Sequence, residues 1–276
     1  MFSDPSAQKS KRKLMRSRAK SKAQNETPRI VVGSIAIAVV LLLWWLLTSI
    51  TGIVAPLYFP SPESAIDAFV ALNWQLGIDA IATFRRVLLS WALGSSIGVL
   101  VGLAMSRSAL LRYALAPLIE AVRPVPPIAL IPFIILWFGI GDSGKVFLGS
   151  LACFMVMVIN TLVAVTNVPP VYRRAGRSLG ASASRINWRI VLPAILPEIL
   201  AGFRIGSALA WTVIVATEFL GAEAGIGRLI MQASRTLNTP VVLVGTVAVA
   251  LMAIVLDQII VHVSARLTRW APKEAY

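Results

Sequence analysis

The chain has 276 residues, of which 57% are hydrophobic and only 14% charged, and its mean hydropathy is +0.79. Water-soluble domains carry about 25% charged residues, so the composition excludes a molecule whose surface is solvated mainly by water. The net charge of +14 calls for an anionic partner, and its distribution along the chain decides between nucleic acid and membrane lipid. In chain order, nine Lys and Arg residues between Lys9 and Arg29 precede the first apolar run. This basic, Ser-rich tail, residues 1–29, lacks apolar periodicity and is expected to be disordered and to lie against anionic lipid. Residues 30–62, 87–106, 124–141, 146–172 and 236–256 then contain no charge at all.

A bilayer core takes about 20 apolar residues as a helix, and most of these runs reach that length. Without water, every backbone N–H and C=O must be satisfied within the segment, which selects helices or a closed barrel. Continuous runs such as 35–47 do not alternate, so a barrel is excluded. Six helices are predicted, at about 30–50, 83–106, 109–138, 145–168, 199–220 and 241–263, the third broken at Pro124, Pro126 and Pro127. Residues 63–72 read as a short interfacial helix after Pro56, Pro60 and Pro62. Gly94, Gly98 and Gly102 recur every fourth residue on one face of the second helix, a pattern for close helix contact. The fold class is all-α and polytopic: a permease domain over 30–276 behind the tail.

Orientation follows the Lys and Arg bias. With the N-terminus inside, the inner segments hold 21 of the 26 basic residues with six acids, and the outer segments hold the other five with six acids. An even number of spans returns the C-terminus to the same side, so both termini are expected in the cytoplasm. The first run is too long for a signal peptide and no small-residue cleavage site follows it.

The largest inner loop, about 169–198, is the informative one. Ala175 and Gly176 precede Gly180, a helix terminator or turn. A second helical stretch runs to Pro193, expected to stop or redirect the chain, and Pro197 to repeat the break. Ala175, Gly180, Ile190, Leu192 and Pro193 stand at the spacing of the "EAA" loop, which this segment resembles. Further matches are Arg123-Pro-Val-Pro-Pro-Ile-Ala-Leu-Ile-Pro-Phe, Leu136-Trp-Phe-Gly-Ile-Gly, Ser178-Leu-Gly-Ala, Leu196-Pro-Glu-Ile and Gly225-Ile-Gly. Over about 60–270 the chain is similar to permease subunits of bacterial ABC importers, in their nitrate, sulfonate and taurine branch. The resemblance implies a type I importer permease fold in the bacterial inner membrane, working as a homodimer. It also implies two cytoplasmic ABC ATPase subunits and an extracytoplasmic substrate-binding protein, with ATP and Mg on the partner ATPase and no cofactor in this chain. The loop would be the coupling helix that docks into the ATPase. Two positions depart from the family pattern: Arg174 stands where it has Glu, calling for an acidic ATPase partner, and Gly176 replaces Ala. If exposed, Gly176 would loosen the helix by about 1 kcal/mol. The substrate implied is a small anion: taurine, another sulfonate, nitrate or a small organic acid.

Polar residues inside spans are expensive and mark substrate paths, which makes Asn160, Trp211, Thr212, Thr217 and Glu218 candidates for the translocation path. The plainer role of Glu218 is to pair with Arg228 or Arg235, near the wet outer end of its helix. Gly139 to Lys145 satisfies most of a phosphate-binding loop, but Val146 occupies the Ser/Thr position and the strand context is missing, so it reads as a turn between spans. Cys153 is the only cysteine and reads as a small core residue. His262, the sole histidine, has no partner at ligand spacing, so no metal site is expected. No cluster of His, Cys or carboxylates offers an enzyme site. A stand-alone secondary transporter or channel is the other transport reading, weakened by the missing internal repeat. A nucleic-acid-binding tail would leave five spans unexplained.

Overall fold

A computed structural model describes residues 31–52 and 54–270, so the tail and its expected disorder lie outside the described residues. The chain divides into two compact units, Met1–Ile66 and Asp67–Tyr276. In the first, α1 (Val31–Ile50) is apolar all round, and the second unit apart, none of its residues is buried. Such a helix needs lipid or another protein as its solvent. Trp44 donates its indole N–H to the Pro60 carbonyl (2.9 Å) and meets Phe59 edge to face, while Trp45 and Ser49 both donate to Glu63 (2.7 Å each).

Helix α2 (Pro62–Arg107) starts on a proline, and the Ser61 hydroxyl accepts the Ser64 N–H, an N-cap written in the sequence Ser-Pro-Glu-Ser. Asn73 breaks it with φ 46° and ψ −132°, outside the helical regions. The short helix expected at 63–72 is therefore present, joined through this kink to a span that starts about ten residues before the predicted 83. Ser108 caps α3 (Ala109–Val122). The prolines at 124, 126 and 127 break the chain as expected, and α4 (Ile131–Phe138) follows a 3-10 turn, Pro127–Leu130. The α3 axis and the 127–138 segment meet at 86°. Helix α5 (Asp142–Asn167) leads to α6 (Pro170–Ser178), α7 (Ala183–Ile186) and α8 (Leu192–Leu220), followed by α9 (Ile226–Arg235) and α10 (Thr239–Leu267). Among the described residues five helices are long and apolar enough to cross a membrane, or six with the bent pair as one span. Among the described residues there is no strand.

Two expectations are corrected here. Pro193 and Pro197 do not end the helix: the chain is helical from Ala183 to Leu220. A π turn at Asn187–Val191, closed by the Leu192 N–H on the Asn187 carbonyl, widens the helix just before Pro193, where the ring would otherwise meet the preceding turn. Helix α9 was not expected, although Ile226, Leu229, Ile230 and Ala233 follow i, i+3, i+4, i+7. Ile226, Leu229 and Ile230 pack with Leu76 and Val244.

The core of the second unit is centred on α5 and α8, joined by α2 and α10. Val87, Cys153, Ala210, Trp211, Ile214, Leu256 and Ile260 form one buried cluster. The glycine stripe of α2 lies on α5 as expected. A Cβ at Gly98 would stand 2.7 Å from that of Met157, and one at Gly102 equally close to that of Thr161. Backbones can approach this closely only where side chains are missing. Cys153 is buried, as expected, and its thiol donates to the Gly206 carbonyl.

Candidate functional site

The 169–198 loop is built around a helix end. Helix α6 starts on Pro170 and ends in a double hydrogen bond: Ala181 N–H to the Gly176 carbonyl (3.0 Å) and Gly180 N–H to that of Arg177 (2.9 Å). This is a Schellman end, which requires a left-handed residue at the position after the cap. Gly180 supplies it with φ +73°, and no atom stands within 4 Å of where its side chain would begin. Leu179 beside it is 87% exposed. Ser182 then caps α7 through the Arg185 N–H.

The motif residues divide by direction. Gly176, Ile190 and Leu192 hold the loop to the bundle, where Leu192 and Ile190 pack against the cluster of Ala164, Val168, Ile186 and Ile195. Gly176 is buried, so the loosening that an exposed glycine would bring does not arise. A Cβ there would stand 2.8 Å from Ile190 Cδ1 and 3.0 Å from Ile186 Cγ1, so the missing methyl lets α6 sit down on α7 and the turn that follows. Arg174, Ala175, Gly180 and Arg177 are exposed. Among the described residues no carboxylate pairs with Arg174. Pro193 is half-buried at the start of α8. Arg107, the last residue of α2, stacks over the Trp188 ring (5.1 Å to its centroid) and ties that helix end to the loop.

The five path candidates do not converge. Asn160 lines a cavity of about 590 Å³ between the α3–α4 break, α5 and α8. Thr212 is exposed and bonds back to the Ala208 carbonyl. Thr217 is buried and bonds back to that of Ile214. Trp211 is buried beside Phe84, and its indole N–H has no acceptor among the described residues.

Glu218 belongs to a buried polar network at the other end of the bundle, and its expected partners are corrected. It is 1% exposed and far from water. It pairs with Arg86 (2.6 Å), not with Arg228 or Arg235, and also accepts from the Thr83 hydroxyl (2.9 Å) and the Gly227 N–H (2.9 Å). Asp79 accepts the Gly225 N–H (2.7 Å) and faces Arg228 (3.4 Å), while Thr83 accepts the Ile226 N–H (2.9 Å). Asp142, the first residue of α5, takes both Arg85 and Arg86. Three side chains from α2 and α8, Asp79, Thr83 and Glu218, thus satisfy the three N–H groups that open α9, and the two carboxylates lie at the positive end of its dipole. Sequence reading missed Asp79, Thr83, Arg86 and Asp142, since their partners lie 132 to 149 residues away, or 56 to 57 for Asp142. The visible trace was the spacing of Asp79, Thr83 and Arg86, one face of one helix. The Lys145 ammonium donates to the carbonyls of Ile140 and Gly141, inside the turn expected there.

Comparison with known proteins bears on this architecture. Residues 94–269 match the model of the family described as binding-protein-dependent transport system inner membrane component. The taurine transport system permease protein TauC of Escherichia coli (strain K12) is 36% identical over 241 residues, covering 85% of this chain and 87% of that protein. A putative aliphatic sulfonates transport permease protein, SsuC of the same strain, is 33% identical, covering 83% and 88%. The nitrate import permease protein NrtB of Synechocystis sp. is 29% identical, covering 85% and 88%. In fold, the chain is similar to a chain of the inward-facing MetNI methionine ABC transporter, with TM-score 0.60 at 21% identity over 74% of this chain and 99% of that one. The chain belongs to the family of binding-protein-dependent transport system inner membrane components, the ABC importer permeases.

Proposed function

We propose that this permease imports a small anionic solute, a sulfonate such as taurine in the first instance, and is driven by a separate ATPase that docks on the 169–198 loop. Nitrate or a small organic acid is the alternative substrate. The observation that carries the coupling role is the Schellman turn at Gly180: a hydrogen-bonded helix end with Leu179, Arg174 and Arg177 exposed and none of the described residues covering them. An apolar tip flanked by guanidinium groups suits an apolar cleft rimmed by acids on a partner. Because α6 is seated on Ile186 and Ile190, a push on the tip reaches α8 through continuous helix. Two copies of the chain would face each other across the path, with a binding protein outside, and the loop and both termini would lie in the cytoplasm.

A mild-detergent pull-down of the tagged chain from its native membrane, followed by an ATPase assay, tests the coupling. A co-purifying ATPase that is lost on Gly180→Val is expected. A partnerless chain that moves solute in vesicles would sink the reading.

A further inference from the structure

The 590 Å³ cavity has a chemistry that the path candidates only touched. Its size falls within the roughly 300–1,000 Å³ of small-molecule sites. Leu130, Leu151, Met155 and Val156 belong to its largely apolar wall, and Arg123 and Asn160 are its hydrogen-bonding side chains. Arg123 follows the last turn of α3, directly before the proline break, and faces Ile159, Asn160 and Val163. Those residues lie about 6–12 Å along α5 from its end at Asn167. Neither polar side chain is committed elsewhere: among the described residues the Arg123 guanidinium has no ion pair or hydrogen bond, nor has the Asn160 amide a partner. The Asn160 amide packs on Gly202, with Nδ2 nearest to where a Cβ there would stand and Cγ 2.9 Å from it, so glycine at 202 leaves the amide its room.

Three physical arguments turn this wall into a site. Irregular backbone in a membrane protein is tolerated where it is buried in protein or lines a cavity, and the break at 123–126 borders this one. A guanidinium presents five N–H donors in a planar fork that matches an oxyanion. No carboxylate lines this wall; Glu120 lines an adjoining pocket of about 150 Å³, which shares Arg123, Ile159 and Val163 with it.

We propose that the cavity binds small organic monoanions with an apolar body, alkanesulfonates or alkanecarboxylates. Arg123 holds the oxyanion, Asn160 donates a second hydrogen bond, and the apolar wall receives the alkyl chain. An aminosulfonate such as taurine fits less well, because its ammonium finds no acid on the wall. The role of this site in import rests on the importer reading; the binding does not.

Equilibrium dialysis without ATP, on the permease purified with whatever subunits accompany it, tests the site with 1-butanesulfonate and taurine as probes. Butanesulfonate is expected to bind more tightly than taurine. Arg123→Gln should lower its affinity about tenfold or more, the scale of one charge-assisted hydrogen bond. Asn160→Ala should lower it severalfold, and Arg123→Lys should keep part of it. Arg123 is exposed, so its replacement removes no buried packing, and monodisperse elution checks each variant; if Arg123→Gln fails to fold, Arg123→Lys and Asn160→Ala decide. No binding of butanesulfonate, unchanged affinity in these variants, or equal or tighter binding of taurine would overturn the proposal. ATPase co-purification is scored separately: binding that depends on Arg123 with no ATPase retained removes the coupling and keeps the site, and the converse removes the site and keeps the coupling.

Discussion

At the scale of single residues, the buried Arg86–Glu218 pair has the largest expected effect. Glu218→Ala would leave the buried Arg86 guanidinium only Asp142 and the Ala224 carbonyl, and would strip the Thr83 hydroxyl and the Gly227 N–H of their buried acceptor. Breaking a buried pair from one side costs about 3–5 kcal/mol, so this variant should unfold well below the wild type in a thermal melt in detergent. Glu218→Gln keeps an acceptor for one donor and should fall between the two. A double change, Arg86→Met with Glu218→Gln, should recover part of the loss, because the stranded charge is gone; a double variant no better than Glu218→Ala would show that the pair itself is not the source. Asp142, more exposed, should matter less, since solvent screens it. Glu218 itself was legible as a costly polar residue in a span, but its partner was not. Arg228 was the near choice in sequence, and the bundle gives Arg228 to Asp79 instead.

At the scale of elements, two glycine positions make opposite predictions. Gly98 faces the Met157 Cβ and the Phe154 carbonyl with no room for a side chain, so Gly98→Val should destabilise by about 1–3 kcal/mol or more through overpacking. Reduced yield of folded protein and a lower melting temperature would show it. Gly180 has open space but a left-handed backbone, which costs other residues about 1–2 kcal/mol. Gly180→Asn, tolerant of that conformation, should therefore retain more ATP-dependent uptake than Gly180→Val, with membrane insertion equal in both. Equal loss in both would mean that contact with the partner, not the turn, demands glycine. The helices themselves were legible from apolar runs and the prolines of the third span. Where reading failed, a neighbour had changed the local rule. Pro193 is carried through by a π turn, and the start of α9 is capped by residues far away in the chain rather than by its own N-cap residue.

At the scale of the whole molecule, the positive-inside bias predicts that Gly180 and Glu223 lie on opposite faces of the membrane. Both are exposed, and the native Cys153 is fully buried. In intact cells an impermeant thiol reagent should label Glu223→Cys and leave Gly180→Cys unlabelled until the membrane is opened; the reverse pattern would invert the topology. By itself the sequence determined the all-helical, membrane-embedded class, because a bilayer leaves an uncharged run of 20 residues no other way to satisfy its backbone. It also determined the turn in the loop at 169–198, because a left-handed helix end demands glycine at a fixed place, here Gly180. Tertiary structure alone decided which buried charges meet, that Gly176 is a packing residue, and that Arg123 faces a cavity with Asn160. Each of these depends on contacts between residues far apart in the chain, and no local pattern of propensity or periodicity encodes them.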